Sequence, residues 1–420
     1  MNAVGARPVR AWRRSRVRVV AFLAVLGPGL ITASADNDAQ GITTYSLAGA
    51  RYGYSLLWLL LFVVVSLAVT QEIGARLGIV TGKGLASLIR ERFGVRLAAA
   101  AMVLMLIANL GTTAAEFAGI AAALEIFGVS RFISVPLAAA AVFLLISRGS
   151  YRRVERVFLV LSALYISYII SAFLAHPDWS EAFHGLTSPH VEPTLPFMVM
   201  AVAIVGTTVT PWGQFFLQAY VVDKDLGLEN IGYERADVFA GALVQGVVAA
   251  SIIVATAATI FVTGLTIVDA KDAALALEPL AGRFAETLFA FGLLNAGFLA
   301  AGILPLSTSY AVCEAGGFEM GIDRSAREAP VFYGVFAFSI LFGAVLVLLP
   351  GVPLVPVLFL SATINGVLLT PILVYVYVLA NDRPLMGEHR NGKLSNVLAM
   401  FTIVMLALMS VALLATLFIH

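Results

Sequence analysis

Ser34-Ala35-Asp36-Asn37-Asp38-Ala39-Gln40-Gly41-Ile42 sits in the middle of an apolar run that reaches from Val19 to Ala48. An Asp at the centre of a membrane-crossing helix costs about 2.5–3.5 kcal/mol on insertion scales, so acids at that depth mark function rather than lipid contact. Asp, Asn and Gly also favour turns over helix interiors. The stretch therefore predicts a span that unwinds halfway. A second apolar run carries a matching interruption, Gly206-Thr207-Thr208-Val209-Thr210-Pro211-Trp212-Gly213-Gln214. Pro211 lacks a backbone donor and disturbs the turn before it, and Gly206 and Gly213 loosen both flanks.

The rest of the chain supports a bilayer setting. Of 420 residues, 60% are hydrophobic and 12% charged, against roughly 25% charged in an ordinary soluble domain. Apolar stretches of spanning length occur at about 19–48, 54–75, 97–124, 132–147, 156–175, 196–222, 236–264, 284–313, 331–350, 354–380 and 395–419. The expected fold is all-α, a polytopic membrane protein of eleven spans. Residues 1–18 form a basic leading segment and residues 19–420 one transmembrane domain. Arg13, Arg14, Arg16 and Arg18 before an apolar run, with Ala33-Ser34-Ala35 after it, imitate a secretory signal. The segment is read as retained, because apolar residues resume directly after Asp38.

Basic residues test the count. The segment before span 1 and the loops after spans 2, 4, 6, 8 and 10 together hold 22 of the 26 Lys and Arg residues. The loops on the other side hold only Arg51, Arg131, Lys271 and Arg283. By the positive-inside tendency, the N-terminus is expected in the cytoplasm and the C-terminus outside, in a multi-pass inner-membrane protein.

The broken spans are the first and the sixth. Five spans is an odd number, so a second set of five starts from the opposite side. That predicts an inverted five-plus-five repeat, about 19–175 and 196–380, with an eleventh helix at 395–419. In such transporters, discontinuous helices from the two halves meet at mid-membrane and build the ion site.

The residues at the breaks bound the ligand chemistry. None of the five histidines lies in a span, and Met200 is ten residues from Thr210, about 15 Å along a helix. The single cysteine, Cys313, reads as a small packing residue and rules out a disulfide framework. What remains is oxygen: Asp38 and Asp36, then Gln40 and Gln214, the hydroxyls of Thr207 and Thr210, and freed carbonyls. Oxygen-only sites suit Mg, Ca and Mn. Thr363 and Asn365 on span 10 are further candidates to complete the site. Asn109 and Glu116 on span 3 read equally as a residual ion path or a buried network. Gln71 and Glu72, near the end of span 2, read as interfacial. The expected partners are a divalent cation and the lipid bilayer, with no nucleic acid and no obligate protein partner. The cation is cargo rather than a cofactor, and no phosphate loop, nucleophile–base pair or His-Glu metalloenzyme motif points to an enzyme.

At these residues the chain resembles the Nramp (natural resistance-associated macrophage protein) family of divalent-metal transporters. Gly27-Pro28-Gly29, Thr43-Tyr45-Leu47-Ala48-Gly49 and Asn381-Asp382-Arg383-Pro384-Leu385-Met386-Gly387 carry the likeness. The resemblance implies the leucine-transporter-like form of the inverted repeat. Its departures concern the site. The family's span-1 signature is Asp-Pro-Gly-Asn, and alignment on Gly-Pro-Gly places Asp38, Ala39, Gln40 and Gly41 there. Its span-6 Met-Pro-His becomes Thr210-Pro211-Trp212. Of the family's two span-3 acids, Thr113 and Glu116 stand here, so one is lost. This pattern resembles the Nramp-related magnesium transporter branch, which implies uncoupled transport of Mg²⁺ with Mn²⁺ also accepted. A proton-coupled Mn²⁺/Fe²⁺ symporter and a sodium-coupled amino-acid transporter are the alternatives.

Overall fold

The computed structural model describes residue 32 and residues 35–148, 162–322 and 324–419. Among these residues the regular elements are all helical. The first half contains α1 (Ala39–Tyr52), α2 (Leu57–Thr81), α3 (Leu85–Phe93), α4 (Val95–Ile126), α5 (Arg131–Arg148) and α6 (Ile166–Leu174). A connecting helix, α7 (Trp179–Thr187), leads to α8 (Leu195–Thr208), α9 (Pro211–Asp223) and α10 (Ile231–Thr256). The chain ends with α11 (Ala285–Gly316), α12 (Pro330–Leu348), α13 (Leu354–Asn381) and α14 (Lys393–Ile419).

Nine helical segments among the described residues are long and apolar enough to cross a membrane, with α8 and α9 counted as one interrupted span. They match expected spans 2 to 4 and 6 to 11. Spans 1 and 5 fall partly outside the described residues, and the basic leading segment 1–18 wholly so. Their described parts are α1 for span 1, and α6 with the turn Ser162–Tyr165 before it for span 5.

Two connections are more ordered than their composition suggests. The segment after span 5 forms α7, because the Asp178 carboxylate accepts the backbone N–H groups of Ser180 and Glu181 at its start, the usual role of an N-terminal cap. The loop after span 2 contains α3, which buries Leu85, Ala86, Leu88 and Ile89 while Arg90, Glu91 and Arg92 face outward. Span 7 begins at Ile231, earlier than its apolar run, because its first turns carry the buried acids Glu234 and Asp237. A π-helical turn over Ala257–Phe261 closes its far end.

Helices in lipid gain little from hydrophobic attraction and pack through small residues that let backbones approach. Gly206 on α8 shows this directly. A methyl group there would stand 2.0 Å from the Ala362 carbonyl oxygen and 2.2 Å from the Gly366 nitrogen of α13. Backbone contact between the second half's interrupted span and its tenth-span neighbour is thus built on two glycines.

Contacts sort the loops into two ends. At one end, Arg76 bonds to the Asn391 side chain and the His389 carbonyl, Arg235 pairs with Glu72, and Arg92 with Asp382. At the other, Trp58 donates to the His190 carbonyl and Arg131 to that of Val352. Among the described residues, loops expected on the same side of the membrane therefore meet one another.

Candidate cation site at two helix breaks

Asn37 and Asp38 form a bend between two helical segments. Asp38 is extended (φ −72°, ψ −179°) and caps α1, its Oδ1 accepting the Gly41 N–H at 2.6 Å. The first turn of a helix leaves several N–H groups without internal partners. Glu116 of α4 takes two more: its Oε2 accepts from Ala39 at 3.0 Å and its Oε1 from Gln40 at 3.4 Å. Two carboxylates from different spans thus converge on the positive end of one half-helix, where the helix dipole favours them.

The sixth span breaks at Val209 and Thr210, both extended, between α8 and α9. Pro211 begins α9, where a missing N–H costs nothing. The Thr210 hydroxyl accepts from the Gly213 N–H and donates to Asp36 Oδ1, both at 3.2 Å. This bond ties one break to the other. Gln71 of α2 holds the opposite oxygen, its Nε2 donating to Asp36 Oδ2 at 3.2 Å. A relay runs alongside: Gln245 Nε2 donates to Tyr45 Oη, which lies 2.8 Å from Thr208 Oγ1, and the Thr208 hydroxyl donates to the Ile204 carbonyl.

Gly41 marks the point of convergence. A methyl group on its Cα would lie 3.0 Å from the Asp36 carbonyl oxygen and 3.3 Å from both Asp38 Oδ1 and Thr207 Oγ1. Oxygens from both breaks therefore face one small space that a side chain would fill. Nearby, Asp38 Oδ2, Thr207 Oγ1, both polar atoms of the Gln40 amide and Gln71 Oε1 are buried without hydrogen-bond partners. Buried polar atoms are nearly always satisfied. The unpaired oxygens are acceptors that a cation or its water would complete, and the Gln40 Nε2 is a donor that a bound water could satisfy. Asp36, Asp38, Gln40, Thr207 and Thr210 are each 0% exposed. Neither Asp36, Asp38 nor Glu116 bonds to a Lys, Arg or His side chain among the described residues.

The sequence candidates divide into two groups. Asp36, Asp38, Thr207 and Thr210 come together, with Gln40 beside them. Gln214 points instead to α2, its Nε2 lying 3.4 Å from Thr70 Oγ1. Asn365 donates to Thr112 Oγ1 of α4 at 2.8 Å, with its Oδ1 unpartnered, and Thr363 donates back to the Phe359 carbonyl of its own helix. Gln71, which reads from the sequence as interfacial, is instead 1% exposed and grips Asp36. The signal available was its amide next to Glu72, deep in the otherwise apolar Leu57–Thr81 helix. No group of three or more His, Cys, Asp or Glu side chains forms a ready metal cluster among the described residues. The site is instead a mixture of carboxylate, hydroxyl, amide and main-chain oxygens.

Nine apolar helical segments among the described residues, with two interrupted helices whose breaks meet, fit a secondary transporter of the inverted-repeat class, not an enzyme. The chain belongs to the Nramp family: the family model described as natural resistance-associated macrophage protein-like matches residues 29–416. Among curated relatives, it is 30% identical over 296 residues to the divalent metal cation transporter MntH of Bacillus subtilis (strain 168), covering 68% of this chain and 69% of the relative. It is 28% identical over 403 residues to the protein of the same name from Pectobacterium carotovorum, covering 93% of each. In fold it is similar to the Eremococcus coleocola manganese transporter (TM-score 0.76, 20% identity, 93% of this chain and 85% of the other). It is also similar to Mhp1, a nucleobase-cation-symport-1 family transporter (TM-score 0.61, 16% identity, 94% and 91%).

Proposed function

We propose that this protein moves divalent cations across the inner membrane by alternating access, preferring Mg²⁺ and accepting Mn²⁺, without obligatory proton coupling. The observation that carries the reading is the convergence on Gly41 of oxygens from Asp36, Asp38 and Thr207. Hard cations take oxygen ligands, and Mg²⁺ surrenders its waters reluctantly. A set of short polar groups with unpaired oxygens suits an ion that keeps part of its hydration shell. Asp36 and Asp38, which with Glu116 have no basic side-chain partner among the described residues, supply the charge that a dication balances. Neither break offers sulfur or imidazole, the donors that favour softer transition metals. Relatives named for divalent metal cations and for manganese support the dication class. With the basic end in the cytoplasm, the N-terminus inside and the C-terminus outside, the membrane potential drives entry with about 2.3 kcal/mol per charge per 100 mV.

The test is flux in proteoliposomes, comparing the wild type with Asp38→Ala for Mg²⁺, Mn²⁺ and Fe²⁺ while recording lumenal pH. The expected result is uptake of Mg²⁺ and Mn²⁺ without acidification, lost in the variant. Unchanged flux in Asp38→Ala would remove the site assignment. Manganese-named relatives favour one second reading, a proton-coupled Mn²⁺/Fe²⁺ symporter. Acidification that tracks metal uptake, with Mg²⁺ excluded, establishes it instead.

A further inference from the structure

A second feature lies at the basic end of the bundle, away from the helix breaks. A groove of about 520 Å³ opens where the end of α2, the start of α10 and the start of α14 meet. Its floor is an ion network. Glu72 accepts from Arg76 at 3.1 Å through both oxygens and from Arg235 at 2.7 and 3.0 Å through one. Arg76 is 5% exposed and also donates to the Asn391 side chain and the His389 carbonyl. Arg235 is different: its side chain is 54% exposed, and both of its bonds run to a single Glu72 oxygen, leaving part of the guanidinium turned outward. Arg390, on the rim, is exposed and forms no ion pair among the described residues.

Three arginines against Glu72 and Glu388 leave the groove with one net positive charge. Its upper wall is apolar, formed by Val69, Ile231, Phe239, Leu394 and Leu398. Phe239 is 47% exposed and Leu394 72%, large apolar surfaces on two helices long and apolar enough to cross a membrane. A dissolved anion has no use for that wall. A lipid does, because its phosphate and its chains are joined at this depth. Basic pockets between spans on the cytoplasmic side are suited to anionic headgroups, where arginine also makes bidentate phosphate contacts.

The geometry points to this groove as a binding site for an anionic phospholipid, its phosphate between Arg235 and Arg390 and its chains along Phe239, Leu394 and Leu398. The site also reaches the transport machinery. Glu72 follows Gln71, the residue that grips Asp36, so the lipid would brace the turn of α2 that supports the first break. The inference stands apart from the choice of transported ion.

The experiment uses the full chain in phosphatidylcholine membranes containing spin-labelled phosphatidylglycerol, with the motionally restricted fraction read by electron paramagnetic resonance. The wild type is expected to restrict phosphatidylglycerol in preference to phosphatidylcholine. Arg235→Gln and Arg390→Gln are each expected to weaken that preference about fivefold. Soluble glycerol phosphate is expected to leave it unchanged. Arg390→Gln removes a side chain without an ion pair, so its effect is not a folding defect, and Arg235→Gln leaves Glu72 paired with Arg76. Equal restriction of the anionic lipid by the wild type and the doubly substituted protein would overturn the proposal. So would equal restriction of both lipids by the wild type, or displacement by glycerol phosphate.

Discussion

Replacing Gly41 with alanine sets stability and transport against each other. The new methyl carbon would meet the Asp36 carbonyl oxygen at 3.0 Å and two further oxygens, Asp38 Oδ1 and Thr207 Oγ1, at 3.3 Å. A relaxed contact is about 3.5 Å, so the carbonyl must yield by about 0.5 Å and the side-chain oxygens by about 0.2 Å. Such crowding costs on the order of 1 kcal/mol. Alanine in place of glycine in a helix returns up to about 1 kcal/mol. The two nearly cancel, and the melting temperature is expected to stay within about 4 °C of the wild type. The ion site does not share that balance. A small hard cation sits about 2.0–2.1 Å from its oxygens, and the methyl group occupies the space those oxygens share. Losing a single charge-assisted contact costs about 1.5–3 kcal/mol, or roughly tenfold to hundredfold in affinity. The assay is Mg²⁺ influx into proteoliposomes over a concentration series, paired with thermal unfolding in detergent. A Gly41→Ala protein with wild-type stability and wild-type influx would refute the placement of the ion beside Gly41.

Three other outcomes follow from the same geometry. Glu116→Ala strips two α1 backbone donors of their acceptors, and thermal stability should fall by about 2–4 kcal/mol at about 1–2 kcal/mol per buried donor. Glu116→Gln, which keeps one acceptor oxygen, should lose about half as much. Gln71→Leu frees Asp36 Oδ2 while leaving the Glu72 ion network in place; half-saturation for Mg²⁺ should rise about fivefold, from about 1 kcal/mol for one hydrogen bond, and an unchanged dose–response curve would count against Asp36 as a site residue. Gly206→Ala drives a carbon into the α13 backbone at 2.0 Å, where no flexible side chain can give way. It should destabilise the protein by about 3 kcal/mol or more, visible as loss of the monodisperse peak in size-exclusion chromatography.

The sequence alone carried the architecture, because the bilayer writes simple rules into it. Spanning length requires long apolar runs, and the alternation of 22 against 4 basic residues gives each loop a side. Acids and a proline inside such runs have few structural uses, so Asp36-Asn37-Asp38 and Thr210-Pro211 announced the two breaks directly. Which side chains share a point in space was decided only by the tertiary structure. Gln71 reads from the sequence as a residue near a span's end, and it supports Asp36 because α2 packs against both halves of the sixth span while its Gln71 amide reaches the first break. Glu116 was open between an ion path and a buried network, and its bonds to Ala39 and Gln40 place it on the first turn of α1. Thr363 has the same chemistry as Thr210, yet it satisfies its hydroxyl within its own helix while Thr210 bridges the halves. One-dimensional periodicity reports how deep a residue lies and which face it occupies. The rotation of each helix about its axis depends on small-residue contacts such as Gly206 against Gly366, and those exist only once spans distant in sequence have packed together.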